Sequence, residues 1–291
     1  MSKIFLENIK RALYVFWLNP IFFFKRVFFE LQDRILPLPK PGIFKTNGVS
    51  FDFDFGFSHK IRKMYFGTFQ SIISEMIKKY LKKGDTFIDV GANIGYFSFV
   101  AAGVVGEAGQ VYSFEPIHDY FVKLDNFARI NKQYTIKANM VALGDEKKTA
   151  KIFIKGGTDI GNNTFFSDLL GEGNVEKTAD VEIIRLDNYI KDNNLKKIKL
   201  IKIDVEGFEF QVLKGLEGYF RDCSETKNFP FIICEIVPEA YKGKSEGIED
   251  LFEYMANFSY YPFNILNNKK SVDIEKIKNG KLTDIIFIHI K

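Results

Sequence analysis

Apolar and polar positions follow two rhythms along this chain, and the two rhythms take turns. Compact apolar runs or strict alternation read as strands at 49–57, 86–90, 110–114, 134–143, 200–203 and 231–234. In the first of these Phe51, Phe53 and Phe55 share one face, and Asp52 and Asp54 the other. Apolar residues at three- and four-residue spacing mark helices at 71–82, from the 91–95 loop to Val105, at 119–130, and beyond Gly207 through Val212, Leu213 and Leu216. Strands alternating with helices predict an α/β fold on a mostly parallel sheet. The final runs, 260–266 and 284–290, are spaced to pair as an antiparallel edge. Segments 150–155 and 179–185 form a two-strand excursion around a polar loop, 156–166, which carries Phe165 and Phe166. A long loop of that kind in a compact domain is a candidate acceptor-binding segment.

Residues 1–36 fit neither rhythm cleanly. They are dominated by aromatic and aliphatic side chains, interrupted by Lys10, Arg11, Lys25 and Arg26, and broken near Asn19-Pro20. The longest charge-free run, 12–24, is short of the roughly 20 residues that cross a bilayer. Two placements follow: a pair of helices lying in a membrane interface, or an extension packed on the domain or on a second subunit. Pro37, Pro39 and Pro41-Gly42 end this part, so the expected division is an apolar, basic extension, 1–40, and a domain, 41–291.

Charge sharpens that division. The formal net charge is +4, and residues 1–40 hold seven Lys or Arg (3, 10, 11, 25, 26, 34, 40) against three acids (7, 30, 33), so the excess lies there and the rest is neutral. A neutral domain lacks the broad basic face of a nucleic-acid enzyme. The two cysteines, Cys223 and Cys234, have no metal or disulfide spacing, which suits a reducing, cytoplasmic setting, with the inner membrane surface as the place where a basic extension would dock. Thirty-two Phe is a heavy load that must be buried or docked.

Chemistry concentrates at strand ends. Strand 86–90 runs through Asp89 into Gly91, Asn93 and Gly95 and then an apolar helix, a turn that brings backbone N–H groups against a ligand. Asn93 stands where a dinucleotide fingerprint has its middle glycine, which leaves less room for a pyrophosphate. About twenty residues beyond Gly95, Glu115 ends the next strand, where a carboxylate accepts hydrogen bonds from ribose hydroxyls. Asp204 and Glu235 end two further strands, and Glu206 and Glu209 follow Asp204 closely. Clustered buried carboxylates require a shared proton or a cation.

The ordered series Asp-Val-Gly-Ala-Asn-Ile-Gly-Tyr-Phe-Ser, Phe-Glu-Pro, Val-Ala-Leu-Gly-Asp, Leu-Asp-Asn-Tyr-Ile and Ile-Lys-Ile-Asp-Val-Glu-Gly-Phe-Glu resembles the FkbM family of S-adenosylmethionine-dependent methyltransferases, from about Tyr65 to Glu235. The resemblance implies a Rossmann-like class I methyltransferase sheet and S-adenosylmethionine held by Asp89, Gly91, Asn93, Gly95, Glu115, Ala142 and Asp204, with the adenine near Val141-Ala142 and Asn139. Phe69 and Gln70 depart from the Tyr-Glu expected there. The cofactor's cationic groups would then offset the carboxylates. The implied reaction is O-methylation of a sugar, glycan or small-metabolite hydroxyl, with Glu206 or Asp204 as base and Glu235 beside them. A divalent ion bridging Asp204, Glu206 and Glu235 is the lesser alternative, and His118 a further base candidate. Competing readings are a nicotinamide oxidoreductase, which lacks the middle glycine and a Tyr-x-x-x-Lys pair, and a membrane-docked cofactor-binding module, which predicts a damaged motif where this one is whole. No Asn-Pro-Pro-Tyr or Asp-Pro-Pro-Tyr sequence points to a flipped base.

Overall fold

The computed structural model describes residues 42–290 except 47, 54–58, 66, 68, 156–160, 162, 172, 266–271, 273, 279 and 281–282, together with Pro20, Phe24, Val27, Phe28, Leu31 and Ile35. Most of the 1–40 extension, the far end of the 49–57 strand and part of the 156–166 loop therefore lie outside the described residues. A hairpin, β1 (Ile43–Thr46) and β2 (Val49–Asp52), leads to α1 (His59–Tyr65) and α2 (Ser71–Tyr80). Then β3 (Thr86–Val90), α3 (Tyr96–Val105), β4 (Gln110–Phe114), α4 (His118–Ile130) and β5 (Thr135–Asn139) follow as two β-α-β units. An excursion, β6 (Ala142–Leu143), β7 (Lys148–Lys155) and β8 (Val175–Ile184), precedes α5 (Leu186–Asp192) and β9 (Ile198–Ile203). The chain then runs through α6 (Glu209–Lys214), α7 (Glu217–Thr226), β10 (Phe231–Ile236), α8 (Ile248–Asn257), β11 (Tyr260–Asn264), α9 (Ile274–Lys278) and β12 (Thr283–His289).

Seven strands form the main sheet in the order β11-β12-β10-β9-β3-β4-β5. All pairings from β10 to β5 are parallel, while β12 is antiparallel to both β10 and β11. This is the expected mixed α/β sheet. The last two strands pair antiparallel at its edge, as expected, with β11 at the rim and β12 hydrogen-bonded along both of its edges, between β10 and β11, where Ile285, Ile286 and Phe287 are buried. The run read as one strand over 134–143 divides at Met140-Val141, with β5 in the main sheet and β6 joining β7 and β8 in a separate three-stranded sheet.

Period-two alternation builds a core on each face. Phe87, Val111, Leu200, Ile233 and Ile286 pack with α2, α3, α4 and the β1-β2 hairpin, which buries Phe51 and Phe53. Ile88, Tyr112, Ile201, Ile232 and Phe287 pack with α5 to α8 on the other face. Strand order reverses between β3 and β9, the place where an open parallel sheet leaves a crevice at its carboxyl ends.

Candidate active site

The crevice is a cavity of about 330 Å³, within the usual range of small-molecule sites, about 300–1,000 Å³. Gly91, Asn93, Glu115, Ala142, Asp204, Glu206 and Glu235 all line it. Asp89 and Gly95 do not, and their positions show what they do instead.

Gly91 takes φ +73°, and a Cβ there would lie 1.8 Å from the Asp204 carbonyl oxygen. The ends of β3 and β9 therefore close on each other only over a bare Cα. Gly95 takes φ +90° at the start of α3, where a Cβ would meet Leu124 Cδ1 at 2.9 Å, so its role is to seat the helix on α4. Asn93, at φ +53°, uses its amide oxygen to accept the Ile94 N–H at 2.8 Å, a local bond that lets asparagine adopt the left-handed region.

Glu115 accepts the Asn93 N–H (2.9 Å) and the Ile117 N–H (2.9 Å), one with each oxygen. Burial pushes its carboxyl up to about 7 against those two bonds, with Asp89 and Asp204 adding to the rise. Beside it, Phe114, Ile117, Val141 and Leu143 form an apolar wall, while Asn139 turns away to bond Tyr189 Oη (2.8 Å) and the Ser113 carbonyl (3.1 Å).

The second group lies at the ends of β9 and β10, and sequence reasoning missed its centre, Lys202. Asp89 and Lys202 are directly paired across β3 and β9, and Lys202 and Asp204 are two residues apart, so all three side chains project to the α3 face. Lys202 Nζ, 3% exposed, lies 3.0 Å from Asp204 Oδ2, 3.6 Å from Asp89 Oδ1 and 4.8 Å from the Phe97 ring centre. Burial opposes the ammonium, but Asp204 and Asp89 outweigh it and push its pKa up. Asp204 answers in the opposite sense: against burial, Lys202 and a hydrogen bond from Glu235 hold it below the usual carboxylate range. At Asp89 burial wins over Lys202 and the carboxyl is pushed up; Oδ2 accepts the Ser98 hydroxyl at 2.7 Å and Oδ1 is buried with no hydrogen-bond partner. The ion pair is thus Lys202 with Asp204. Burial, then the Asp204 carboxylate, pushes Glu235 well up, so the two acids share a proton that Glu235 carries. Within the chain, Lys202 offsets part of the charge of the carboxylate cluster, and sequence reasoning looked to the cofactor's cationic groups for this. A lysine inside an otherwise apolar strand, two residues before a strand-end acid, was the available signal.

Glu206 lies on the turn after β9 at φ +52°, a setting that costs roughly 1–2 kcal/mol for a residue with a Cβ. Gly207 follows at φ +106°, where a Cβ would meet Ala240 Cβ at 2.7 Å. Glu209 does not reach the cavity: it is fully buried, accepts the Gly207 N–H (2.7 Å) and the Tyr241 hydroxyl (3.2 Å), and burial lifts it to about 8. His118 is outside the cavity wall too, its side chain 74% exposed beside Asp119. From the excursion, Gly161, Asn163 and Phe165 line the cavity. Among the described residues, no three His, Cys, Asp or Glu side chains are grouped so as to hold a metal ion.

The profile of the methyltransferase FkbM domain matches residues 89–261, more than half of the 291-residue chain. Methyltransferase 1 of Beauveria bassiana (strain ARSEF 2860) is 26% identical over 156 residues, 47% of this chain and 61% of that protein, so the chain spans less than two thirds of that relative. Among solved structures, the FkbM methyltransferase of Methylobacillus flagellatus KT aligns with a TM-score of 0.42 at 16% identity, over 80% of this chain and 56% of that one. Aeropyrum pernix fibrillarin, solved with natively bound S-adenosyl-L-methionine, aligns with a TM-score of 0.41 at 11% identity, over 87% and 85%. The domain profile begins at Asp89 and runs through the Gly91 turn, Glu115 and the Asp204-Val-Glu-Gly segment to Glu235 and beyond, and by that match the chain belongs to the FkbM family of S-adenosylmethionine-dependent methyltransferases.

Proposed function

We propose that the enzyme methylates a hydroxyl oxygen of a sugar, glycan or small metabolite, with Glu206 as the base that takes the hydroxyl proton. The observation that carries this reading is the arrangement of the carboxylates in one cavity: Asp204 lies 3.0 Å from the Lys202 ammonium, burial and Asp204 push the Glu235 carboxyl well up, and Glu206 lines the wall beside them. The cavity suits the cofactor, since Gly91 lets the ends of β3 and β9 close beside it and Glu115 presents a strand-end carboxylate next to the apolar wall of Phe114, Ile117 and Val141. Gly91, Asn93, Glu115 and Ala142 would hold S-adenosylmethionine, which when bound supplies a methyl group on a positively charged sulfur. Glu206 accepts the proton as the acceptor oxygen becomes nucleophilic, while Phe97, Phe165 and Phe208 keep water from the reacting atoms.

Calorimetry with S-adenosylhomocysteine and NAD, followed by transfer of labelled methyl to glycan and glycolipid fractions, tests the reading. Glu206→Gln keeps size but cannot take the proton, so turnover should fall by ~10²–10⁴ while S-adenosylhomocysteine affinity holds. Wild-type turnover in that variant would place the base elsewhere.

A peripheral location at an anionic membrane surface, on the cytoplasmic side, is part of the same proposal. Phe24 (62% exposed), Phe28 (58%), Leu31 (50%) and Ile35 (75%) are helical and exposed, and with Val27 their spacing puts them on one helical face. Lys25 and Arg26 lie between them in sequence, and among the described residues no helix is long and apolar enough to cross a membrane. An apolar stripe flanked by basic residues suits insertion at a headgroup boundary. The full chain should sediment with phosphatidylserine vesicles in a salt-sensitive way; sedimentation unaffected by the Phe24→Asp/Phe28→Asp pair would refute it.

A further inference from the structure

The 163–166 segment does more than line one side of the cavity. Thr164, between Asn163 and Phe165, is 1% exposed and every polar group it owns is engaged. Its backbone exchanges two hydrogen bonds with Phe153 of β7, at 2.8 and 3.1 Å. Its hydroxyl accepts the Phe166 N–H at 3.2 Å and donates to the Glu206 carbonyl at 2.7 Å. That carbonyl belongs to the peptide that follows a residue at φ +52° and precedes Gly207 at φ +106°, so its direction sets how the turn carries the Glu206 side chain. The neighbours of Thr164 are also fixed. Asn163 accepts the Lys155 N–H at 3.0 Å, and the Phe165 ring packs 4.5 Å from that of Phe208, two residues past Glu206.

We propose that Thr164 is a positioning residue, whose hydroxyl bolts the acceptor-facing segment of the small sheet to the Glu206 turn and holds Glu206 in its reactive setting. The hydroxyl has one proton, and because it already accepts from Phe166 that proton is directed to the Glu206 carbonyl. A left-handed, non-glycine residue persists only where its surroundings over-determine it, and at Glu206 the Thr164 hydroxyl supplies one such restraint. The acceptor wall and the base thereby move as one unit. This inference rests on Glu206 being the base, and its test separates the two ideas.

Thr164→Val removes the hydroxyl at constant shape, and Thr164→Ser keeps it. Hydrogen exchange on the full-length chain with S-adenosylhomocysteine bound needs no acceptor. Amides of 205–208 should exchange at least about tenfold faster in Thr164→Val and at the wild-type rate in Thr164→Ser. Kinetics use the methyl glycoside that the wild-type enzyme turns over fastest, with rates counted per S-adenosylhomocysteine-binding site. Thr164→Val should lose about 10–100-fold in kcat and shift the acid limb of its pH profile, with cofactor affinity within about twofold, while Thr164→Ser restores both. Adding Thr164→Val to Glu206→Gln should cost nothing more. If Thr164→Val does not accumulate as folded protein, Thr164→Ala removes the same hydroxyl and is read in the same way. Unchanged exchange at 205–208 overturns the bolt whether or not Glu206 is the base. Wild-type turnover of Glu206→Gln, by contrast, overturns the base assignment and with it the catalytic consequence drawn for Thr164.

Discussion

Replacing Lys202 by methionine keeps most of the side-chain volume and removes the charge. In the native protein the ammonium lies 3.0 Å from Asp204 with 3% and 19% of the two side chains exposed. Breaking a buried pair by removing one partner typically costs about 3–5 kcal/mol, because the remaining charge stays buried and unpaired. Two features place this case near the lower figure: Asp204 keeps some contact with solvent, and Asp89, pushed up by burial, needs no cation when neutral. A loss of about 3 kcal/mol is a large share of the roughly 5–15 kcal/mol that domains possess. Lys78→Met is the control, since Lys78 and Glu75 are also 3.0 Å apart but 52% and 36% exposed, and such surface pairs contribute about 0–1 kcal/mol. The pH dependence follows from the directions of the shifts. The raised Lys202 contributes below the unfolded lysine value of about 10.4, and the lowered Asp204 above about 3.9, so the pair's contribution is level between them and is lost as pH falls further. The deficit of Lys202→Met should therefore be full at neutral pH and shrink towards pH ~4, as the stranded Asp204 takes a proton. Urea unfolding of both variants at the two pH values measures this. A Lys202→Met protein no less stable than Lys78→Met at neutral pH would refute the buried-pair reasoning.

Gly91→Ala places a Cβ 1.8 Å from the Asp204 carbonyl oxygen at φ +73°; it should abolish S-adenosylhomocysteine binding in calorimetry and lower Tm by about 4–8 °C, as for a loss of about 2 kcal/mol. Glu115→Ala strands the Asn93 and Ile117 N–H groups as well as removing the carboxylate, so S-adenosylhomocysteine affinity should fall by roughly 1.5–3 kcal/mol. Glu209, raised to about 8 in the fold, contributes stability that is fully present below the unfolded value of about 4.3 and is lost as pH climbs towards its folded pKa. Glu209→Gln should flatten that dependence between about pH 5 and pH 8, measured as Tm against pH, and an unchanged slope would show that Glu209 is not its source.

The sequence by itself determined the fold class, the parallel strands and the ligand end of the sheet, because these follow from local regularities. Period-two runs ending in acids, glycines at Gly91 and Gly95, and helical repeats between them are each legible within a few residues. The same local evidence placed Gly91, Asn93, Glu115, Asp204, Glu206 and Glu235, and the family resemblance added Ala142; these do meet at one cavity. Tertiary structure alone decided the rest, and the reason is common to each case. That Asp89 faces Lys202 depends on the register of β3 against β9, 113 residues apart in the chain. Which of the last two strands takes the rim depends on which of them finds a backbone partner along both edges, and Ile285 to Phe287 suit either arrangement as sequence. Four strand-end acids read alike one by one. What holds Asp204 below the usual carboxylate range and pushes Glu235 well above it is how deeply each is buried and which charge lies within hydrogen-bond reach, and both are set by chain segments far apart in sequence.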